Sequence, residues 1–149
     1  MKIIALHGKG GCGKTTVLRY LYHLLTGDFN YSQFYFYREN KEKINDISAM
    51  FEFNGKKLGL TTLGDSEKDL KRPFEVFQKE NCNLVVCAVR SRDTKNGANS
   101  FLKAQSKEIT WIKKAYIDTY HAKCDLNETY KELNMLQAKV LKEEMEKQI

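Results

Sequence analysis

The feature that most constrains this chain is a glycine-rich segment close to its start. Residues 8–15 read GKGGCGKT and satisfy the pattern G-x-x-x-x-G-K-[ST]. The apolar run Lys2–Leu6 before the segment predicts a β-strand, and apolar residues at helical spacing over Lys14–Thr26 predict a helix after it. A strand, a glycine-rich loop and a helix in this order are typical of a backbone that curls around a bound phosphate.

This segment supplies the candidate nucleotide-binding residues. Glycines let successive N–H groups point inward, and the following helix adds the positive end of its dipole. Lys14 is expected to reach the β and γ phosphates and to act in catalysis, while the hydroxyl of Thr15 is expected to bind Mg²⁺. Thr16 is expected to contact the α phosphate. The full set is Gly8, Lys9, Gly10, Gly11, Cys12, Gly13, Lys14, Thr15 and Thr16.

The string KGGCGKTT at residues 9–16 resembles the deviant Walker A loop of the MinD/ParA-type P-loop ATPases. Lys9 matches the signature lysine of that family, and the resemblance covers about the first 26 residues. It implies a site for ATP and Mg²⁺. It also implies a catalytic role for Lys9, which would contact phosphates, in some cases across a dimer interface.

The acidic residue that follows a later strand in such ATPases has no clear counterpart here. The strand-like run Lys57–Leu63 ends with Thr61-Thr62, no D-x-P follows it, and the next acidic residue is Asp65. Asp65 either binds Mg²⁺ through a water molecule or forms part of a turn. The preceding hairpin looks like the one before the second switch of small GTPases, but D-x-x-G and N-K-x-D are absent. Adenine is therefore the expected base.

Polar residues directly after an apolar strand form a second candidate group. The valine-rich run Asn83–Val89 predicts a central buried strand, and Arg90 and Arg92 follow it. Because ligands bind beyond the carboxyl ends of parallel strands, we expect both arginines to face the phosphate loop and to act in catalysis. They could stabilise charge on a transferring phosphate or clamp an anionic substrate. Alternatively they form surface ion pairs with Asp93 or Asp69.

Other single side chains have weaker chemical interpretations. A carboxylate of Glu39 or Asp46 could orient a water molecule or accept a proton from a hydroxyl substrate. His7 is expected to be packed rather than to act as a base. Cys12 lies near the start of a helix, where a thiol can become modifiable, but most such cysteines are passive.

The rest of the chain alternates predicted strands and helices. Asn54-Gly55 between two strand-like runs predicts an antiparallel hairpin, and Pro73 predicts the first position of a helix. Further elements are expected at Phe34–Tyr37, Ala98–Ala104, Glu108–Ile112 and Asp125–Lys147. This order predicts an α/β protein with the three-layer P-loop NTPase fold over residues 1–149, with a mostly parallel sheet and one antiparallel hairpin.

Length and composition restrict the class of protein. The 149 residues fit one domain, and 42% hydrophobic with 30% charged residues argue against a disordered or fibrous chain. The longest apolar run, Leu84–Val89, is too short to cross a membrane. Four cysteines without a CxxC pattern and no export signal predict reduced thiols in the cytoplasm. The net charge of +6 is spread along the chain, which argues against a nucleic-acid partner.

These features predict an enzyme that binds ATP, a purine nucleotide, with Mg²⁺ and hydrolyses it. One alternative is a small kinase in which Arg90 and Arg92 hold an anionic acceptor. The other is a nucleotide-dependent binding module with little turnover, which the missing acidic residue favours. In that case Lys9 or the last helix would contact a protein partner or a second copy of the chain.

Overall fold

Strands and helices alternate along most of the chain, as the change of apolar spacing between period 2 and period 3.6 predicts. The computed structural model describes residues 1–39, 46–91, 97–116 and 127–149. Within these ranges the elements are β1 (Lys2–Gly8), α1 (Lys14–Thr26), β2 (Ser32–Arg38), β3 (Ile47–Phe53), β4 (Lys56–Thr61), α2 (Glu67–Lys79), β5 (Leu84–Arg90), α3 (Ala98–Gln105), β6 (Ile109–Lys113) and α4 (Asn127–Gln148).

The strands form one six-stranded sheet in the order β2-β3-β4-β5-β1-β6. β1 lies between β5 and β6 and runs parallel to both, and β4 runs parallel to β5. β2 and β4 both pair antiparallel with β3. The carboxyl ends of β1, β4, β5 and β6 therefore meet at one edge of the sheet, where β3 begins.

The predicted fold class is wrong, because the sheet is mixed and not the mostly parallel sheet of the three-layer P-loop NTPase fold. Half of its strands, β2, β3 and β4, form an antiparallel meander instead of a single hairpin. The connection between β2 and β3 spans only residues 39–46, which is shorter than a crossover between parallel strands requires. The N–H of Glu39 donates to the carbonyl of Asp46 at 3.0 Å and continues the antiparallel pairing.

The helices pack on both faces of the sheet, and β1 contributes side chains to each face alternately. Ile4 and Leu6 belong to a core that includes residues of α1 and α4. Ile3 and Ala5 belong to a second core, with residues of α2 and α3. Because successive residues of a strand point to opposite faces, β1 is packed from both sides as far as Leu6.

Two local predictions are confirmed and one is wrong. Helix α1 covers the predicted residues Lys14–Thr26, and Asn54 and Gly55 form the turn of the β3–β4 hairpin with φ of 50° and 71°. Helix α2, however, begins at Glu67, and Pro73 lies inside it. The hydroxyl of Ser66 accepts a hydrogen bond from the N–H of Asp69 at 3.3 Å, so a serine N-cap starts this helix.

The apolar spacing of the last helix predicts a packed face that includes Leu136, Val140 and Met145, and only part of that face is buried in α4. Leu136 and Val140 are 60% and 48% exposed, whereas Met145 is buried. The buried side chains are Asn134, Ala138, Leu141 and Met145, and the helix packs against α1. The expected helix start at Asp125 lies outside the described residues. Among the described residues, none of the helices is long and apolar enough to cross a membrane.

Candidate functional site

The glycine-rich loop connects the end of β1 at Gly8 to the start of α1 at Lys14. Gly11 and Gly13 have φ of 71° and 91°, a left-handed conformation that other L-residues rarely adopt. Gly13 is the N-cap of α1, so its conformation turns the loop directly into the helix. A Cβ atom placed on Gly11 would meet no other atom within 4 Å, which shows that this part of the loop borders open space.

The side chain of Lys14 folds back into the loop and is only 8% exposed. Its ammonium group donates to the carbonyl of Gly8 at 2.9 Å and to the carbonyl of Lys9 at 2.8 Å. The Sγ atom of Cys12 lies 3.7 Å from the same nitrogen. A positive charge is thus held at the centre of the curved backbone.

A cleft of about 330 Å³ opens beside the loop. Its lining comes from the loop, from the segment after β4 and from the end of β5, and consists of Gly10, Gly11, Cys12, Gly13, Lys14, Thr15, Thr62, Gly64, Asp65, Ala88 and Arg90. Of the predicted nucleotide-binding residues, Gly8, Lys9 and Thr16 lie outside this lining. The ammonium group of Lys9 lies 4.8 Å above the ring centroid of Tyr116.

Arg90 and Asp65 meet at the cleft. The guanidinium group donates from Nε to Oδ1 of Asp65 at 2.9 Å and from Nη2 to Oδ2 at 3.3 Å. A Cβ atom placed on Gly10 would lie 3.6 Å from Cζ of Arg90, so the guanidinium group also packs on the loop. The structure therefore brings Arg90 to the glycine-rich loop, and its ion-pair partner is Asp65. Arg92 and Asp93 lie outside the described residues.

The segment after β4 is pressed against β5 at Gly64. A Cβ atom on Gly64 would lie 1.5 Å from the carbonyl oxygen of Ala88, so any side chain larger than hydrogen would displace the backbone. This close contact holds Asp65 opposite the glycine-rich loop. Asp65 is a candidate from the sequence, but no pattern in the sequence indicates that the residue before it has to be glycine.

Asp46 is a second carboxylate close to the cleft. The sequence alone gives it little support as a catalytic residue, because acidic residues in loops are common. Oδ1 of Asp46 accepts a hydrogen bond of 2.7 Å from the hydroxyl of Thr62, which lines the cleft. Burial raises the pKa of Asp46, as do the charges of Asp65 and Glu39, whereas the Thr62 hydrogen bond and Arg19 lower it. Antiparallel pairing of β3 with β4 brings Asp46 to the end of β4.

A buried lysine, Lys114, packs against the glycine-rich loop. No pattern in the sequence indicates this contact. Lys114 follows β6, is 2% exposed, and donates its backbone N–H to the carbonyl of His7 at 2.7 Å. Cβ atoms placed on Gly8 and Gly13 would lie 3.1 and 3.6 Å from its side chain, and its ammonium group donates to the carbonyl of Ala115. Burial lowers the pKa of Lys114; Cys12 opposes this shift and the charge of Lys14 adds to it.

Asn134 of α4 completes this support. Its side chain is buried, and its amide nitrogen and oxygen would lie 3.6 and 3.7 Å from a Cβ atom on Gly13. No described group forms a hydrogen bond with Oδ1 of Asn134. Gly13 is thus enclosed by two polar side chains, Lys114 and Asn134, which come from segments far apart in the sequence.

The remaining candidates from the sequence are His7 and the cysteines. His7 is half-buried, packs edge-on against Trp111 at 6.0 Å between ring centroids, and has a pKa lowered by burial and by Lys113 and Lys14. Cys12 is a partly buried free thiol, and Cys82 and Cys87 are buried free thiols. Cys124 lies outside the described residues.

The donor atoms at the cleft fit Mg²⁺ only if the nucleotide supplies most of the ligands. No group of three or more His, Cys, Asp or Glu side chains in the described ranges could hold a metal ion. The hydroxyl of Thr15 and the carboxylate of Asp65 offer oxygen atoms, which Mg²⁺ prefers, together with phosphate oxygens and water.

Comparison with known proteins gave no relative from which a function could be transferred. No protein-family model, curated protein or solved structure matches the chain significantly.

Proposed function

We propose that the protein binds ATP with Mg²⁺ at the glycine-rich loop and transfers the γ phosphate to water. The observation that carries this proposal is the buried ammonium group of Lys14, held within a curved glycine backbone beside a cleft of about 330 Å³. The loop also ends at the N-terminus of α1, where backbone N–H groups and the helix dipole favour an anion.

Each residue at the cleft has a role in this proposal. The loop N–H groups bind the phosphates, Lys14 neutralises charge on the β and γ phosphates, and the hydroxyl of Thr15 binds Mg²⁺. Arg90 stabilises charge that develops on the γ phosphate, because its guanidinium group lies against Gly10 of the loop. When bound, Mg²⁺ would stabilise charge on the phosphate oxygens, and Asp65, which lines the cleft, would hold one of its water molecules.

Lys14 provides the decisive test, by thermal unfolding with and without Mg²⁺-ATP. ATP at a hundred times its dissociation constant should stabilise the wild type by about 2.7 kcal/mol. Lys14→Ala should abolish most of this stabilisation, whereas Lys68→Ala, which removes an exposed lysine of α2, should retain it. Equal stabilisation of the wild type and Lys14→Ala by ATP would contradict the site.

Adenine is the proposed base because the loop resembles that of ATPases and the chain lacks a guanine-reading motif. Competition of ATP and GTP for the site measures this preference. A preference for GTP of more than about tenfold would contradict it.

A phosphotransferase is the second candidate function. It is favoured by a groove that adjoins the cleft and could hold an organic acceptor. Phosphate release from ATP alone supports hydrolysis, and ADP formation that depends on an added acceptor supports a phosphotransferase.

A further inference from the structure

The wall of the cleft formed by the segment after β4 carries a buried hydroxyl group. Thr62 is 4% exposed and lines the cleft together with Lys14 and Arg90. It follows directly after β4, at the point where the sequence lacks the acidic residue of related ATPases. In the proposed reaction Lys14 and Arg90 contact phosphates, and neither of them holds the attacking water molecule.

Two hydrogen bonds fix the direction of the Thr62 hydroxyl. It donates to Oδ1 of Asp46 at 2.7 Å and accepts from the N–H of Ile47 at 3.0 Å. The N–H of Thr62 also donates to the carbonyl of Ile47 at 3.0 Å, which holds the backbone. A hydroxyl has one proton and two lone pairs. With its proton on Asp46 and one lone pair used by Ile47, the second lone pair is available to a water molecule.

Asp46 gives this hydroxyl a carboxylate partner. Hydrogen bonds in a chain polarise one another, so a carboxylate that accepts the Thr62 proton makes Oγ1 a stronger acceptor. Burial raises the pKa of Asp46, as do the charges of Asp65 and Glu39, and a raised pKa favours uptake of a proton. Asp46 and Thr62 together thus supply an acidic function at the end of β4, although no acidic residue follows that strand directly.

The spacing of the strands leaves room for phosphate and water between Thr62 and the glycine-rich loop. The loop follows β1, and β5 lies between β1 and β4. At about 4.8 Å from strand to strand, the ends of β1 and β4 are roughly 10 Å apart. The cleft occupies this gap. In the proposed binding mode the loop and Lys14 hold the bridging side of the γ phosphate, so its opposite side is turned toward Thr62.

We propose that Thr62 holds the water molecule that attacks the γ phosphate and that Asp46, a positioning residue acting through Thr62, takes up its proton. This inference rests on the proposed function of the cleft. The water oxygen forms a bond to the γ phosphorus, and the bond from that phosphorus to the β–γ bridging oxygen breaks, with its electron pair leaving on ADP. One water proton passes to Oγ1 of Thr62 while the hydroxyl proton passes to Oδ1 of Asp46. The products are ADP, inorganic phosphate and a protonated carboxyl group, which returns its proton to solvent.

Single-turnover hydrolysis of Mg²⁺-ATP by the full chain tests the pair. Thr62→Val removes the hydroxyl, and Asp46→Asn removes the charge but keeps an acceptor oxygen. Each should slow hydrolysis at least about a hundredfold, the range expected for loss of general base catalysis. The ATP dissociation constant should stay within about threefold, because the loop and Lys14 hold the ground-state phosphates.

Two further variants separate this role from structural support. Thr62→Ser keeps the hydroxyl and should hydrolyse ATP at close to the wild-type rate. The double variant Thr62→Val/Asp46→Asn should be no slower than Thr62→Val alone, because both residues act on the same proton. Asp46→Asn carries the same test if Thr62→Val fails to fold.

Thr61 provides the matched control. It is buried, and its hydroxyl shares a hydrogen bond of 2.9 Å with that of Ser48, but it does not line the cleft. Thr61→Val removes the same group one residue earlier and should hydrolyse ATP as the wild type does. Thermal unfolding without nucleotide shows whether each variant is folded.

The possible results separate this inference from the function of the cleft. Wild-type rates in Thr62→Val and Asp46→Asn, or equal losses in Thr62→Val and Thr61→Val, would overturn the role of Thr62 and leave ATP hydrolysis in place. Failure of Mg²⁺-ATP to stabilise the wild type, or to yield phosphate with it, would contradict the proposed function and this inference with it.

Discussion

The guanidinium group of Arg90 forms two hydrogen bonds, of 2.9 and 3.3 Å, to the carboxylate of Asp65 at the cleft beside the glycine-rich loop. The two residues come from different segments, the end of β5 and the loop after β4. Both side chains are at least half exposed, and an exposed ion pair of this kind contributes about 0 to 1 kcal/mol. Breaking this ion pair, so that Arg90 binds a nucleotide phosphate and Asp65 a Mg²⁺-bound water molecule as proposed, therefore costs little free energy.

Arg90→Ala should lower the rate of ATP turnover about a hundredfold, because arginine at a transferring phosphate acts mainly on charge that develops in the transition state. The ATP dissociation constant should change by less than about threefold, since the loop and Lys14 hold the ground-state phosphates. Steady-state kinetics and equilibrium binding measure the two effects. Arg72→Ala, which removes an exposed arginine of α2 that stacks on Tyr37, is the control. A loss of ATP affinity in Arg90→Ala as large as the loss of turnover would show that Arg90 acts in binding.

Lys114→Met should stabilise the protein at neutral pH. The lowered pKa of Lys114 means that its buried charge opposes folding at every pH below that pKa. As the pH rises from the lowered pKa toward the ordinary lysine value of about 10.4, the unfolded chain holds more protons than the folded one. Wild-type stability then increases relative to the variant, so the advantage of methionine should shrink.

Urea unfolding at about pH 7 and about pH 10 tests this expectation for Lys114. Lys113→Met, which replaces the exposed neighbouring lysine, is the control and should show little pH-dependent difference. A constant difference between wild type and Lys114→Met at both pH values would show that the lysine charge is not the cause.

Gly64→Ala should reduce the free energy of unfolding by at least about 3 kcal/mol, because its Cβ atom would lie 1.5 Å from the carbonyl oxygen of Ala88. Gly55→Ala is a useful comparison, since a Cβ atom there meets no atom within 4 Å and only the φ of 71° is unfavourable. That variant should lose about 1 to 2 kcal/mol. Chemical denaturation of both proteins measures the difference, and equal losses would contradict the close contact at Gly64.

The secondary structure was largely predictable from the sequence. The bounds of α1 and the turn at Asn54-Gly55 depend on residues that are close together in the chain, and both predictions are confirmed. The predicted start of α2 at Pro73 is wrong, because the helix begins after the Ser66 N-cap and Pro73 lies inside it. The antiparallel pairing of β2 could have been inferred from the short connection at residues 39–46.

The candidate site was predictable only where its residues are adjacent in the sequence. The loop from Gly8 to Thr15 was located from its own pattern, and Arg90 from its position after a buried strand. Asp46, Lys114 and Asn134 reach the loop region through strand pairing and helix packing, and no short pattern in the sequence identifies them.

The sequence by itself determined the conformation of the glycine-rich loop, because positive φ at Gly11 and Gly13 and the helix start at Lys14 are properties of neighbouring residues. Only the tertiary structure decided which distant groups surround that loop. The burial of Lys114 depends on where α4 and β6 pack, and burial sets the cost of its charge. Such contacts come from residues far apart in the chain, so their effect on charge and shape follows only from the assembled fold.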